Sequence, residues 1–295
     1  MKKEESIKQL TFMEMKPFEM NEQSSFGGTS SETQFVGRNP STNARITYLL
    51  SKRHTFGKMT MEVQDMDGNF LSKLSPGKKK GINIVDWAFR SSVPKIAKGK
   101  TFSAGGMTAP RVAAGKYKVV IQKGKEKFET TIDVAYPKNS IFSLSERDEQ
   151  FKTSKMLYDL NEELAYIVYQ IDEISKHTLE SAKNPKLKKT ALKLNSELIS
   201  LKETLVVTKG DNYVGTVEDQ LREKLANIYG EITGYYGAPT DTQMENVDLI
   251  VSEMNGAIVG FDKVQSGSIK KYNLLLSKNE LPKIQLKSKV EFLKK

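Results

Sequence analysis

The stretch Tyr117–Val134 reads YKVVIQKGKEKFETTIDV and is the clearest fold signal in the chain. Every second residue is apolar or β-branched on both sides of Lys123-Gly124-Lys125. The stretch therefore predicts a β-hairpin.

The same two-residue period continues upstream of the hairpin. Candidate strands recur at regular spacing with turn residues between them, and their apolar positions are Ile46, Tyr48 and Leu50, then Met59, Met61 and Val63, then Phe70 and Leu74, then Val85, Trp87 and Phe89. Short strands in this arrangement favour two packed antiparallel sheets. We therefore expect an immunoglobulin-like antiparallel β-sandwich over residues 39–137, with Trp87, the single tryptophan, in its core.

Downstream of Pro137 the apolar period changes to three and four residues. The stretch Leu157–Ile174 reads LYDLNEELAYIVYQIDEI, which places Leu or Ile on one helical stripe. Ser143 with Glu146, and Thr240 with Gln243, fit the capping boxes that begin helices. Similar apolar stripes follow and predict three more helices. We expect the second helix to end at Gly210 and the third to be capped by Thr216 with Asp219. We expect the fourth helix to break at Ser266-Gly267. The chain is thus predicted to be multidomain, β then α, with an antiparallel four-helix-type bundle over residues 143–276.

The two ends of the chain have a different composition. Residues 1–38 are expected to form an N-terminal segment with one short strand near Leu10 and Phe12, and a flexible linker over Asn21–Thr33. Residues 277–295 are expected to form a basic tail. Its cluster of lysines comprises Lys283, Lys287, Lys289, Lys294 and Lys295, and Lys278 precedes them.

Composition excludes several classes of function. The 295 residues include no cysteine and only two histidines, His54 and His177. A disulfide scaffold, a thiolate zinc site, a cysteine nucleophile and a multi-histidine metal centre are therefore excluded. No apolar run approaches the roughly 18–20 residues of a membrane span, and the N-terminus has no secretory signal pattern.

The net charge of +10 is spread along the chain. Lysines stand beside Asp and Glu in the helical stretches, and only Lys78–Lys80 and the C-terminal lysines form local clusters. Neither cluster alternates with aromatic residues as a nucleic-acid surface does. We therefore interpret the charge as a solvated surface and do not expect a nucleic-acid partner.

Candidate sites in the sequence have structural explanations. Asp65, Asp67 and Asn69 have the spacing that opens a calcium loop, but Pro76 stands where the bidentate glutamate is needed, so we interpret them as a turn. Glu173 and His177 are four residues apart rather than three, so a carboxylate-bridged di-iron site is not predicted and His177 is expected at the surface.

The remaining acidic residues also have structural explanations. The sheet carboxylates occupy polar positions of the alternation, and the acids of the first helix, Glu162, Glu163, Asp172 and Glu173, flank its apolar stripe. No phosphate-binding loop or nucleophile elbow is present. The sequence therefore predicts no catalytic, cofactor-binding or metal-ligating residue, and no cofactor.

Four motifs carry a family resemblance. They are NARITY (Asn43–Tyr48), VQDMDGN (Val63–Asn69), GINIVDW (Gly81–Trp87) and AGKY (Ala114–Tyr117). This pattern resembles the immunoglobulin-like module of the flagellar hook-capping protein and of many secreted bacterial proteins. With Arg38-Asn39-Pro40 before it, Ala109–Val112 inside it and the helices after it, the chain resembles the C-terminal region of sortilin-like β-propeller proteins of Bacteroidetes. The resemblance covers roughly residues 35–265.

The resemblance implies a function but no active site. Those proteins are often labelled glycosyl hydrolases or exo-sialidases for their BNR (Asp-box) repeats, and any catalytic machinery is expected in their N-terminal propeller. This chain contains no S-x-D-x-G-x-T-W Asp box, so no catalytic residue is carried over. The resemblance implies a non-catalytic interaction module that docks onto a β-propeller or another envelope partner, in the cell envelope or outside the cell.

Two alternatives stay open. The chain could be the C-terminal fragment of a glycosyl hydrolase or exo-sialidase-like enzyme whose catalytic propeller is absent. It could instead bind carbohydrate or an anion through sandwich loops, with Lys98–Arg111 and Lys78–Lys80 as the candidates. The sequence does not indicate a small-molecule ligand. Because no signal peptide is recognised, a cytoplasmic location stays open.

Overall fold

The computed structural model describes residues 9–20, 22, 43–210 and 217–294. Strands occupy the first half of the chain and helices the second, so the predicted order of β then α is confirmed. The chain divides into two compact units. The first unit comprises Met1–Ser92 and Ala109–Phe151, and the second comprises Val93–Thr108 and Lys152–Lys295.

The strands of the first unit form two sheets. Their bounds are β1 Leu10–Phe12, β2 Phe18–Glu19, β3 Ala44–Leu50, β4 Met59–Gln64, β5 Phe70–Leu74, β6 Gly81–Trp87, β7 Gly115–Lys123 and β8 Glu126–Ala135. One sheet has the order β1-β3-β6 and the other β2-β8-β7-β4-β5, and only the pairing of β2 with β8 is parallel. Alternate residues of both sheets are buried in one shared apolar core.

The predicted hairpin is confirmed as β7 and β8. Tyr117 lies opposite Ile132, and Lys123 lies opposite Glu126 at the turn. Gly124 has a φ of +61°, in the left-handed region that glycine adopts without a steric cost. The alternating pattern therefore set both the strands and their register.

Trp87 is in the core, as predicted. It is 2% exposed, and its ring meets those of Phe89 and Tyr117 at centroid distances of 5.7 and 5.4 Å. Its indole N–H donates to the Arg90 carbonyl at 2.9 Å, so its polar atom is satisfied within the first unit.

The second half of the chain forms helices. Their bounds are α1 Leu144–Ser181, α2 Pro185–Leu205, α3 Leu221–Gly234, α4 Asp241–Val264, α5 Lys270–Lys278 and α6 Lys289–Leu293, with a π-helical turn at Gln265–Ile269 between α4 and α5. The turn occupies the predicted break at Ser266-Gly267. The stripe residues of α1, including Leu157, Leu164 and Ile171, are buried in the core of the second unit.

Two of the predicted capping boxes are confirmed. Ser143 Oγ accepts from the Glu146 N–H at 3.2 Å, and Glu146 in return accepts from the Ser143 N–H at 2.7 Å. Thr240 and Gln243 make the same reciprocal pair at the start of α4. These caps satisfy amide groups that a helix start leaves free, which is why the pattern locates the boundary.

Two other helix ends differ from the prediction. The helix α2 ends at Leu205 and not at Gly210, because Val206 is extended and Val206 and Val207 are buried. The helix α3 begins at Leu221 after Gln220, which makes no side-chain cap. Thr216 lies outside the described residues, as do the predicted linker Asn21–Thr33, apart from Glu22, and the Arg38-Asn39-Pro40 motif.

Candidate functional site

The outer side of the three-stranded sheet carries exposed apolar side chains. Ile82 and Ile84 on β6 are 63% and 52% exposed, and Leu49 on β3 is 38% exposed. Leu49 lies directly opposite Ile82 in the sheet register, and Thr47 lies opposite Ile84. These residues form one continuous strip, and we call Leu49, Ile82 and Ile84 the β3–β6 face.

The strand β6 also lies at an edge. Among the described residues it pairs with β3 alone, so its other side presents backbone N–H and C=O groups that no described strand pairs. An edge strand with apolar side chains is a template for one more strand. Proteins usually protect such an edge with a bulge, a proline or outward charges, and Gly81–Trp87 has no bulge or proline and only Asp86 as a charge.

Polar side chains hold the start of β6 in place. Asn83 points inward and is buried, and its amide donates to the carbonyls of Lys79 and Gly81 at 2.8 and 3.0 Å. Its Oδ1 accepts from the Lys79 N–H at 3.1 Å. Tyr48 donates its hydroxyl to the Gly77 carbonyl at 2.6 Å, and burial raises the pKa of Tyr48 to about 12. Hydrogen bonds from buried side chains therefore hold the turn before the edge strand.

Charge surrounds the β3–β6 face. Lys78, Lys79 and Lys80 are exposed in the turn that leads into Gly81. At the other end Arg45 and Asp86 lie 3.6 Å apart, an exposed ion pair that contributes little to stability. The lysine turn gives one end of the face a positive field.

The acidic turn is structural, as predicted. Asp65 accepts from the Asn69 backbone N–H and side-chain amide, both at 2.8 Å, and the side-chain bond is the main cause that lowers the pKa of Asp65. Gly68 has a φ of +89° in this turn. In the described part of the chain no group of three or more His, Asp or Glu side chains is arranged to hold a metal ion.

The other predicted candidates also have structural roles. His177 is half-buried rather than at the surface, because its ring packs edge-on against Tyr272 at 5.9 Å. Asp172 pairs with Lys202 of α2 at 2.5 Å, and Glu163 pairs with Lys289 of α6, so both acids form salt bridges between helices. Phe292 of the predicted basic tail stacks on Tyr169 at 4.7 Å.

Most residues of the candidate loop Lys98–Arg111 make packing contacts. Gly105 and Gly230 approach so closely that a Cβ on Gly230 would lie 2.6 Å from Gly105 Cα. Arg222 of α3 is buried and donates to the Ala97 carbonyl at 2.7 Å and to the Thr101 carbonyl at 3.1 Å. The segment Val93–Thr108 is thus part of the helical core.

Sequence reasoning missed the buried ion pair within α3. The Arg222 guanidinium lies 2.5 Å from the Glu223 carboxylate, and that carboxylate also accepts from the Thr101 hydroxyl at 2.6 Å. The adjacent pair in LREKL looks like an ordinary surface pair, and nothing local distinguishes it. The β3–β6 face was also missed, although Ile82 and Ile84 alternate with inward residues and could have indicated a second apolar side.

The comparisons assign no family. No protein-family model matches the chain, and no curated protein matches it in sequence. The resemblance to sortilin-like proteins therefore stays a prediction. No helix in the described residues combines the length and the hydropathy that a membrane crossing requires.

Proposed function

We propose that this protein is a non-catalytic interaction module of the cell envelope or of the secreted proteins, built from an immunoglobulin-like sandwich followed by a helical bundle. The partner we propose is a β-propeller or another envelope component. The observation that carries this proposal is the β3–β6 face beside the open edge of β6.

Two features of the first unit support the immunoglobulin-like assignment. The strand orders β1-β3-β6 and β2-β8-β7-β4-β5 match strands A, B and E of that fold in one sheet, and A′, G, F, C and C′ in the other. Tyr117 lies near the start of β7, the F-strand equivalent, and its hydroxyl donates to the Ala113 carbonyl at 2.6 Å. A tyrosine in this position that bonds back to the preceding backbone is a hallmark of the fold.

The face indicates the chemistry of its partner. An extended segment can add to the edge of β6 through main-chain hydrogen bonds, while its alternate side chains contact Leu49, Ile82 and Ile84. Because Lys78–Lys80 adjoin the start of β6, acidic residues at one end of that segment would be attracted. We therefore propose a protein partner that contributes an apolar strand with an acidic flank.

Co-purification of matched variants tests the proposal. The full chain is expressed in its native cell as wild type, Ile84→Lys and Phe70→Lys, and the retained proteins are quantified by mass spectrometry. Phe70 is the matched control because it is an exposed apolar residue on β5, which is also an edge strand, in the other sheet. We expect one envelope component that wild type and Phe70→Lys retain and that Ile84→Lys loses.

Folding of the variants is checked in parallel. Ile84 is exposed, so Ile84→Lys should change the free energy of unfolding by no more than about 0.5 kcal/mol. Retention of the same proteins by all three folded chains would contradict docking at the β3–β6 face.

A further inference from the structure

The second unit contains an open cavity of about 530 Å³. It lies among α1, the end of α4, the π-helical turn, α5 and the extended chain after α5. This volume is within the range of small-molecule sites. Its lining includes Gln170, Ile174, Phe261, Ile269, Lys270 and Lys283. π-helical turns are rare, and they occur frequently at functional sites.

One polar side chain on the cavity wall is available to a ligand. Gln170 is 8% exposed, and its side-chain amide makes no hydrogen bond to any residue that the structure describes. Its amide atoms are open to solvent, since buried side-chain atoms without a partner occur in the described residues only at Glu22, Ser103 and Tyr272. The amide can therefore donate a hydrogen bond to, or accept one from, a molecule bound in the cavity.

The mouth of the cavity is cationic. Lys270 and Lys283 both line it, and neither makes an ion pair within residues 9–20, 22, 43–210 and 217–294. No acidic residue is among the lining residues, so the cavity presents two uncompensated positive charges. The floor beneath them is apolar, with Ile174, Phe261 and Ile269 all buried.

We propose that this cavity binds an amphipathic organic anion. Its anionic head group would contact Lys270 and Lys283, its apolar body would lie on Ile174, Phe261 and Ile269, and Gln170 would hydrogen-bond to it. This site is independent of the β3–β6 face, because every residue that forms it belongs to the second unit.

Titration of the full chain with sodium octanoate, followed by isoleucine-methyl NMR, tests the proposal. Ile174, Ile269 and Ile284 line the cavity and report on it directly, whereas Ile46 lies in the core of the first unit and serves as a control. We expect saturable shifts of the three cavity methyls in the millimolar range, as the size of octanoate implies, and no shift at Ile46.

Matched variants separate head-group recognition from apolar binding. Lys270→Gln and Lys283→Gln should each weaken octanoate binding by about three- to fivefold, the effect of one exposed ion pair. Lys271→Gln should leave binding unchanged, because Lys271 is exposed beside Lys270 but does not line the cavity. Leu274→Trp, at an exposed position on the mouth, should obstruct entry without altering the core.

Three results would overturn the proposal. One is the absence of saturable shifts at the cavity methyls of the wild-type chain. Another is equal weakening by Lys271→Gln and Lys270→Gln. The third is binding of 1-octanol as tight as that of octanoate, which would show that the charge is not recognised.

Discussion

Gly230→Ala should destabilise the protein even though it replaces a glycine inside a helix. An alanine in a helix interior is ordinarily favoured over glycine by about 1 kcal/mol. At Gly230 the added Cβ would lie 2.6 Å from the Cα of Gly105. The two segments meet here through backbone atoms, so no side-chain rotation can relieve the contact. Val93–Thr108 must therefore move away from α3.

The matched control is Gly256→Ala in α4. A Cβ at Gly256 meets no atom within 4 Å, so this substitution should give only the gain in helix propensity. Overpacking in a tight contact costs about 1–3 kcal/mol, and backbone contacts belong at the upper end of that range. We expect Gly256→Ala to raise the free energy of unfolding by up to about 1 kcal/mol. We expect Gly230→Ala to lower it by about 1–2 kcal/mol, after its own propensity gain is subtracted.

Urea unfolding followed by helical circular dichroism measures both variants. The propensity gain cancels when the two are compared, so their difference, about 2–3 kcal/mol, isolates the contact between Gly105 and Gly230. If Gly230→Ala is as stabilising as Gly256→Ala, then Val93–Thr108 does not rest on α3 and the description of the second unit is wrong.

Three further predictions concern the two cores. Trp87→Ala should cost about 3–5 kcal/mol in urea unfolding, and a loss below about 1 kcal/mol would show that the ring is not buried. Arg222→Met should cost about 3–5 kcal/mol because it leaves the buried Glu223 carboxylate without its ion-pair partner and the Ala97 and Thr101 carbonyls without a donor; a loss below about 1 kcal/mol would contradict a buried ion pair. Burial raises the pKa of Tyr48 and Tyr117 to about 12 from 10.0, so their contribution to stability is complete below pH 10 and is lost as the pH rises towards 12. Alkaline unfolding followed by tryptophan fluorescence should show this decline, and a constant stability up to pH 12 would contradict it.

The sequence predicted the elements whose signals are local. The strands β3–β8 follow from alternation with turn residues, and α1 and α4 begin at capping boxes that satisfy their own first turns. The strand β2 was missed because its two residues pair in parallel with β8, over a hundred residues away. No local sequence pattern predicts such a pairing.

The segment Val93–Thr108 shows a second limit. Its glycines and prolines are typical of a loop, and Lys98–Arg111 was predicted to be a loop of the sandwich. In the structure it joins the helical core, because Gly105 fits against Gly230 and Ala226, and because Arg222 binds its carbonyls. These contacts depend on residues far apart in sequence, so neither stretch alone could indicate them.

The candidate sites were hidden for a similar reason. Ile82 and Ile84 are visibly apolar in GINIVDW, but their exposure depends on β6 lying at an edge, which is a property of the whole sheet. Gln170 lies in the apolar run of α1 and looks like an ordinary flank of its stripe. Its unpaired amide becomes evident only when α4, α5 and the chain after them form the cavity around it.

The most direct test of the docking proposal is a photo-crosslink from β6 in the native cell. Benzoyl-phenylalanine is placed at position 84 in one chain and at position 70 in another, and the crosslinked peptides are mapped by mass spectrometry. Docking at the β3–β6 face predicts a crosslink from position 84 alone, to an apolar segment with an acidic flank in one partner protein. No crosslink from position 84, or the same product from both positions, would contradict it.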